Sequence, residues 1–446
     1  MITNKYWLHS PLVAAATIAL GSATAAAQTP PQPPPPAATT TAPAADAPPP
    51  GLWIDGIHLS AQLEGGISFN PAGPKDNFGQ LFTDHPNQPL LNQILLTANK
   101  PLDPKATGFD WGFKLQGMYG SDARYTQFLG ELNRVDPGAR NQLDIVEANV
   151  LFHLPVLVAG GVDLKAGQYV TPLGYETIDP STNPFYSHSY IFNFGIPLKQ
   201  TGVLAVGHVS PLLDVYLSVD TGVNTSFGPL GDNNSAVAFL GGVNLTLLGG
   251  NLTILALTHI GPENATRLLD TLPPAGFNAD GYYRYLNDIV VTYKASDKLT
   301  LVTEANLIRD DFAGYYSSAT HTPSAANAFG AAQYASYALN DTITLNGRAE
   351  VYRDDNNFFV ASFPGNNDFV AAEQGFTFGV GAPHPTTYSE ITLGVTYKPA
   401  NLPTPINGLL IRPEVRYDRA LTNTHPYNSG KDDGSFTIAS DVVLTF

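Results

Sequence analysis

Apolar and polar residues alternate along most of this chain, in segments of about ten residues. In the last segment, SFTIASDVVLTF (residues 435–446), one side carries Phe436, Ile438, Val442, Leu444 and Phe446. A side-chain period of two is typical of β-strands that are apolar on one face. Because the pattern recurs from residue 52 to residue 446, it predicts an all-β chain, either a membrane barrel or a large sandwich.

The alternating segments predict about 16 strands, within a range of about 14 to 18. They begin near Trp53, Leu90, Phe109, Leu143, Val162, Thr201, Leu213, Val237, Leu252, Asn287, Leu299, Ala331, Thr342, Ser389, Leu409 and Phe436.

The connections between these segments distinguish a barrel from a sandwich. Short links such as SPLL (210–213), KASDK (294–298) and LNDT (339–342) alternate with long polar links centred near residues 80, 130, 185, 228, 272, 320, 370 and 427. An outer-membrane barrel has short periplasmic turns and long extracellular loops, whereas a sandwich has no reason to sort its loops in this way. Residues 51–446 are therefore predicted to form a transmembrane, antiparallel, up-and-down β-barrel.

The first 50 residues do not share the alternation. Lys5 precedes an apolar stretch at residues 12–20, and Ala25–Ala27 follow, so residues 1–27 are predicted to be a signal peptide that is removed on export. Residues 28–50 are rich in Pro, Ala and Thr and are expected to form an extended periplasmic tether. After them no apolar run reaches the roughly 18 residues of a membrane-spanning helix.

A closed barrel would explain why the last strand is apolar on one side as far as Phe446. Its apolar side would contact outer-membrane lipid, and pairing of the last strand with the first would remove the free edge. The predicted location is the bacterial outer membrane.

If the apolar positions face lipid, the alternate positions face a lumen. The candidate pore-lining residues are Lys114, Glu147, Asp163, Lys165, Glu304, Arg348, Glu350, Arg412, Glu414 and Arg416. So many charges of both signs favour a water-filled interior, which 16 strands are wide enough to enclose. The alternative for individual members, such as Arg412, is a cross-strand ion pair that only stiffens the wall.

One stretch, residues 167–203, carries a more specific pattern. Its elements are Gly167, Thr171, Pro172, Gly174, Tyr175 and Glu176, then Asn183, Tyr186, Ser187, Ser189 and Tyr190, and finally Pro197, Thr201 and Gly202. This stretch resembles the diagnostic region of the OmpL-like β-barrel porins. The resemblance implies an outer-membrane porin, and the C-terminal Phe resembles the signal that the outer-membrane assembly machinery selects.

The same stretch contains the long loop after the fifth predicted strand, which is aromatic and nearly uncharged. By analogy with general 16-stranded porins, this loop is expected to fold into the lumen; an extracellular cap is the alternative. The candidate constriction residues are Glu176, Asp179, Tyr186, His188 and Tyr190. Glu176 and Asp179 are expected to face Lys114, Lys165, Arg412 and Arg416 across a gap, where their field would orient dipolar solutes.

These observations predict a porin for passive diffusion of small hydrophilic solutes, with no catalytic residue, cofactor or metal. The Ser-His-Ser triplet at residues 187–189 suggests a barrel hydrolase as an alternative, but neighbouring residues on an extended chain point apart and no GxSxG elbow occurs. A plugged structural or adhesive barrel is a second alternative. With no Cys and a net charge of -16, thiol chemistry and nucleic-acid binding are excluded, while a homo-oligomer is left open.

Overall fold

The computed structural model describes residues 52–136, 138–228, 230–267, 276–317, 322–360 and 384–446. The predicted signal peptide and the predicted tether lie outside these residues. Among the helices of the described residues, none is long and apolar enough to cross a membrane.

The described residues form one antiparallel sheet. Its strands are β1 (Leu52–Ile54), β2 (Ile57–Phe69), β3 (Pro89–Lys100), β4 (Asp110–Gly120), β5 (Gln142–Leu154), β6 (Val162–Val170), β7 (Lys199–Ser210), β8 (Leu213–Asp220), β9 (Ala238–Leu247), β10 (Leu252–Pro262), β11 (Tyr283–Lys294), β12 (Leu299–Asp310), β13 (Ala326–Ala338), β14 (Ile343–Asp354), β15 (Thr386–Tyr397), β16 (Gly408–Ala420) and β17 (Gly434–Thr445). Strands β2 to β17 each pair with their neighbours in sequence, and β17 also pairs with β2. They close a 16-stranded barrel, which confirms the predicted fold class.

Short helical segments lie in the connections. They are Ala123–Thr126, Pro180–Thr182, Ile191–Gly195, Leu248–Gly250, Ala279–Gly281, Gly314–Ser317 and Tyr427–Gly430.

Closure of the barrel runs to the end of the chain. Thr445 lies opposite Gln62, and Ile438 lies opposite Phe69. The amide of Phe446 donates to the carbonyl of Ala61 (2.8 Å), and the amide of Ala61 donates back (3.3 Å). Because β17 pairs with β2, the last strand has no free edge. The short strand β1 pairs with β2 next to this point.

Side chains alternate between the two faces of the wall as the pattern predicts. Leu393 of β15 is 58% exposed on the outside, whereas Thr392, its neighbour, is completely buried on the inside. The predicted strand starts fall close to the observed ones; the largest difference is at β13, which begins at Ala326 and was predicted near Ala331. The outer face of the wall exposes apolar side chains, as expected of a surface that contacts lipid.

Long and short connections alternate around the barrel. Strands β7 and β8, for example, are joined by residues 211–212 alone, whereas residues 171–198 join β6 and β7. We call the two ends the long-loop end and the short-turn end. The predicted sorting of the connections is therefore confirmed.

Replacing Leu393 with Arg tests whether the outer face contacts lipid. A charge near the bilayer midplane destabilises a barrel by about 2–4 kcal/mol. Leu393→Arg should lower the free energy of unfolding in lipid bilayers by this amount, measured by urea titration. Leu421→Arg is the matched control, because Leu421 is equally exposed (58%) but lies beyond the end of β16. Equal effects of the two substitutions would contradict a lipid-facing wall.

Candidate functional site

The loop of residues 171–198, called the lumen loop below, lies inside the barrel. It contacts β2, β11, β12, β14 and β16, which belong to well-separated parts of the wall. Its side chains at Tyr186, Tyr190, Ile191 and Phe192 are at most 2% exposed. This segment therefore crosses the interior of the barrel.

Wall carboxylates accept hydrogen bonds from the backbone amides of the lumen loop. Glu350 of β14 accepts from the amides of Tyr190 (2.6 Å) and Ile191 (2.8 Å). Glu414 of β16 accepts from those of Tyr186 (2.9 Å) and Ser187 (3.2 Å). Each carboxylate satisfies two amides that have no strand partner and would otherwise be costly to bury.

The first part of the loop is held in the same way by carboxylates of β11 and β12. Glu304 of β12 accepts from the amide of Tyr175 (3.1 Å), and Asp288 of β11 accepts from that of Gly174 (3.2 Å). Gly174 has a φ of +84°, a conformation that residues with a side chain rarely adopt.

Wall arginines complete the pattern, because they donate to carbonyl groups of the loop. Arg348 donates to the carbonyl of Ser187 (2.9 Å), and Arg416 donates to that of His188 (2.6 Å). Arg412 donates to two further loop carbonyls, those of residues 180 (2.7 Å) and 183 (2.8 Å). Positive and negative wall groups therefore bind complementary groups of one backbone.

Each of these arginines is also neutralised by carboxylates. Arg348 pairs with Glu390 (2.6 Å) and with Glu176 of the loop (2.6 Å). Arg412 pairs with Asp441 and with Glu64 (3.2 Å). Arg416 pairs with Asp418 (2.7 Å). Because the three guanidinium groups are at most 2% exposed, these pairs are needed to make their burial tolerable.

Two predicted constriction residues have partners that differ from those expected. Glu176 contacts Arg348 and His188 (2.8 Å to Nδ1), not Lys114, Lys165, Arg412 or Arg416. Asp179 accepts from Gln62 of β2 (2.9 Å) and from the amide of Ser181 in its own turn (2.9 Å). The reason is the path of the loop, which brings these carboxylates into direct contact with the wall.

Electrostatics around Glu176 favour its ionised form. Burial alone would raise the pKa of Glu176, but the charge of Arg348 and the hydrogen bonds from His188 and the Ser189 amide outweigh it and lower the pKa to about 2.

Two more of the predicted constriction residues, Tyr186 and Tyr190, lie where the loop meets the wall. The hydroxyl of Tyr186 donates to Asn92 (2.9 Å), and its ring covers Gly66, where a Cβ atom would come within 2.5 Å of it. The hydroxyl of Tyr190 donates to Asp418 (3.0 Å), and its ring stacks on Tyr388 (5.2 Å between centroids). Aromatic and polar contacts thus fix the same part of the loop.

The other four candidate pore-lining residues contact side chains of the wall. Lys114 pairs with Glu147 (2.8 Å). Asp163 contacts His153 (2.7 Å) and His208 (3.2 Å). Lys165 lies over the ring of Tyr169, with Nζ 5.9 Å from its centroid.

Sequence reasoning missed several wall carboxylates that hold the loop or its arginines. They are Asp288, Glu390 and Asp441, all on inward-facing positions. Glu390 could have been found, since it alternates with apolar residues in the segment SEITLGVTYK. Nothing in the sequence indicates which loop amide each carboxylate meets.

In the Ser-His-Ser triplet, the side chains of Ser187 and His188 form hydrogen bonds with other side chains inside the barrel. Ser187 Oγ accepts from Arg348 (3.4 Å), whereas His188 Nδ1 faces Glu176, so the two side chains have different partners.

Among the described residues, no group of three or more His, Cys, Asp or Glu side chains is arranged to hold a metal ion.

Comparison with known proteins agrees with this geometry. Residues 56–446 match the family described as "Putative beta-barrel porin-2, OmpL-like". The chain belongs to this porin family. Membership confirms the resemblance found in the sequence and supports an outer-membrane channel rather than an enzyme. No curated protein matches the chain.

Solved porins share the fold of this OmpL-like porin at low sequence identity. The outer-membrane channel DcaP of Acinetobacter baumannii has a TM-score of 0.53 and 12% identity, covering 89% of this chain and 100% of its own. OprB of Pseudomonas putida has a TM-score of 0.52 and 14% identity, covering 88% and 94%. An anion-selective porin from Comamonas acidovorans has a TM-score of 0.51 and 9% identity, covering 87% and 99%. At these identities the likeness concerns the fold alone.

The low pKa of Glu176 predicts how its contribution to stability depends on pH. A depressed pKa in the folded state stabilises the protein above the ordinary value of 4.5, and this stabilisation is lost as the pH falls towards 2. Wild type should exceed Glu176→Gln in free energy of unfolding by on the order of 3 kcal/mol at pH 7, and the difference should shrink between pH 5 and pH 2. Denaturant titrations at several pH values measure it.

Asp297→Asn is the control for this comparison, because Asp297 lies in an exposed turn. This variant should unfold with nearly the wild-type free energy throughout. A difference between wild type and Glu176→Gln that does not change with pH would contradict the assignment.

Proposed function

We propose that the barrel is a channel for passive diffusion of small hydrophilic solutes, and that the lumen loop forms its narrowest part. The observation that carries the proposal is the polar inner face of β4 and β6, where the side chains of Lys114 and Asp163 are 33% and 35% exposed. Charges that remain accessible to water inside a barrel are typical of an aqueous passage. The candidate pore-lining residues would border this passage, and the candidate constriction residues belong to the loop that narrows it.

The lumen loop would limit solute size more than it selects by charge. Each of the three arginines that hold the loop, Arg348, Arg412 and Arg416, is paired with a carboxylate, so little unbalanced charge remains beside the loop. The width of the passage would then depend on how much of the lumen the loop fills, and Tyr186 and Tyr190 hold the loop in place through hydrogen bonds to the wall.

A plugged structural barrel is the second candidate, because one observation favours it. The loop side chains Tyr190, Ile191 and Phe192 belong to a buried apolar cluster that also includes wall residues such as Tyr352 and Val302. If this cluster fills the whole cross-section, the protein would not conduct ions.

We also propose the cellular setting that the sequence suggests. Residues 1–27 would be removed on export, and the C-terminal strand would be the part that the assembly machinery recognises. Outer-membrane lipid would cover the exposed apolar side chains, among them Leu115 and Leu393. Formation of a homo-oligomer stays a prediction.

Cysteine accessibility distinguishes a channel from a plugged barrel, since the chain contains no Cys. Gln116 and Leu115 are neighbours on β4, but Gln116 faces the lumen and bonds to Thr97, whereas Leu115 is 53% exposed on the outside. In planar bilayers, a charged, membrane-impermeant methanethiosulfonate reagent should reduce the single-channel conductance of Gln116→Cys and leave that of Leu115→Cys unchanged.

The wild-type protein should conduct in potassium chloride without any reagent. Absence of conductance in correctly folded, detergent-purified protein would reject the channel and support the plugged barrel. Conductance that the reagent changes equally in both variants would show that ions do not pass along the predicted face.

A further inference from the structure

The inner wall is not polar all round, because one sector of it is apolar. This sector, called the lumen patch below, consists of Leu204, Val206, Tyr216, Leu240, Leu255 and Leu257 on β7 to β10. The pairing of the strands places these side chains on the lumen face; Val206, for example, lies opposite Tyr216 and next to Asp163 of β6. The alternation of the sequence alone did not predict an apolar inner wall.

The lumen loop covers only part of the lumen patch. Leu173 of the loop packs on Leu204, Leu240 and Leu257, and these four side chains are at most 5% exposed. Val206, Tyr216 and Leu255 are only partly buried. An apolar surface therefore remains beside the accessible part of the lumen. Its contact with water costs about 25 cal/mol for each Å² of apolar surface.

A positive charge borders this uncovered surface. Lys165 of β6 lies directly opposite Leu204 in the sheet, and its ammonium group lies over the ring of Tyr169. Among the described residues it forms no ion pair. The nearby carboxylate of Asp163 contacts His153 and His208, and Glu147 contacts Lys114.

We propose that the channel binds small organic acids with an apolar body, such as aromatic carboxylates, with the carboxylate at Lys165 and the body on the uncovered part of the lumen patch. Ligand sites are commonly apolar with a few placed polar groups, and Lys165 beside Val206 and Tyr216 has this composition. This inference rests on the proposed channel, for which it names a class of solute.

Calorimetric titration of the purified full-length protein with benzoate tests the site. Benzoate should bind more tightly than lactate, which lacks the apolar body, and more tightly than benzyl alcohol, which lacks the charge. Lys165→Gln should weaken benzoate binding by about tenfold or more, because it removes a charge-assisted hydrogen bond. Val206→Thr should weaken it less, since it changes one contact without changing the volume.

Lys298→Gln is the matched control, because Lys298 lies in an exposed turn between β11 and β12. It should bind benzoate as the wild type does. Unchanged affinity in Lys165→Gln, or equal affinity for lactate and benzoate, would overturn the inference.

Conductance of the same preparations separates this inference from the proposed function. A wild-type protein that conducts potassium chloride but does not bind benzoate overturns the solute class and leaves the channel intact. A protein that binds benzoate through Lys165 and does not conduct keeps the site and overturns the channel.

Discussion

The backbone of the lumen loop crosses the barrel without a neighbouring strand, so the polar groups it carries there need partners from the wall or from the loop itself. Strand ladders satisfy the amides and carbonyls of β2 to β17. For the loop, side chains perform this role: Glu350 and Glu414 accept from its amides, while Arg348 and Arg416 donate to its carbonyls. Burial inside a protein leaves few alternatives, since an unpaired group costs about 1–3 kcal/mol.

This requirement explains why the wall carries charges of both signs where the loop contacts it. Amides need acceptors and carbonyls need donors, so a wall of one sign could satisfy only half of the backbone. The arginines then need counter-charges, which Glu390 and Asp441 supply. Where the loop does not contact the wall, charged side chains such as Lys114 reach water.

The period of two, together with the alternation of long and short connections, predicted the barrel and the direction of the polar wall side chains, because lipid and lumen impose opposite polarity on neighbouring residues. Arg348 and Glu350 were placed on the inner face for this reason, and they lie there. Their partners could not be predicted in the same way. Contact between Glu176 and Arg348 joins positions 172 residues apart, and it depends on strand stagger and on the path of the loop. The apolar lumen patch was missed because an apolar residue in a strand was assumed to face lipid.

Hydrogen exchange of the loop amides tests most directly whether wall side chains hold the loop inside the barrel. In folded protein, the amides of Tyr186, Ser187, Tyr190 and Ile191 should exchange as slowly as those of the strands, and they should become fast in a Glu350→Ala, Glu414→Ala double variant that keeps its barrel, because Ala has no acceptor. Fast exchange of these four amides in the wild type, at the rate of exposed loops, would contradict the account.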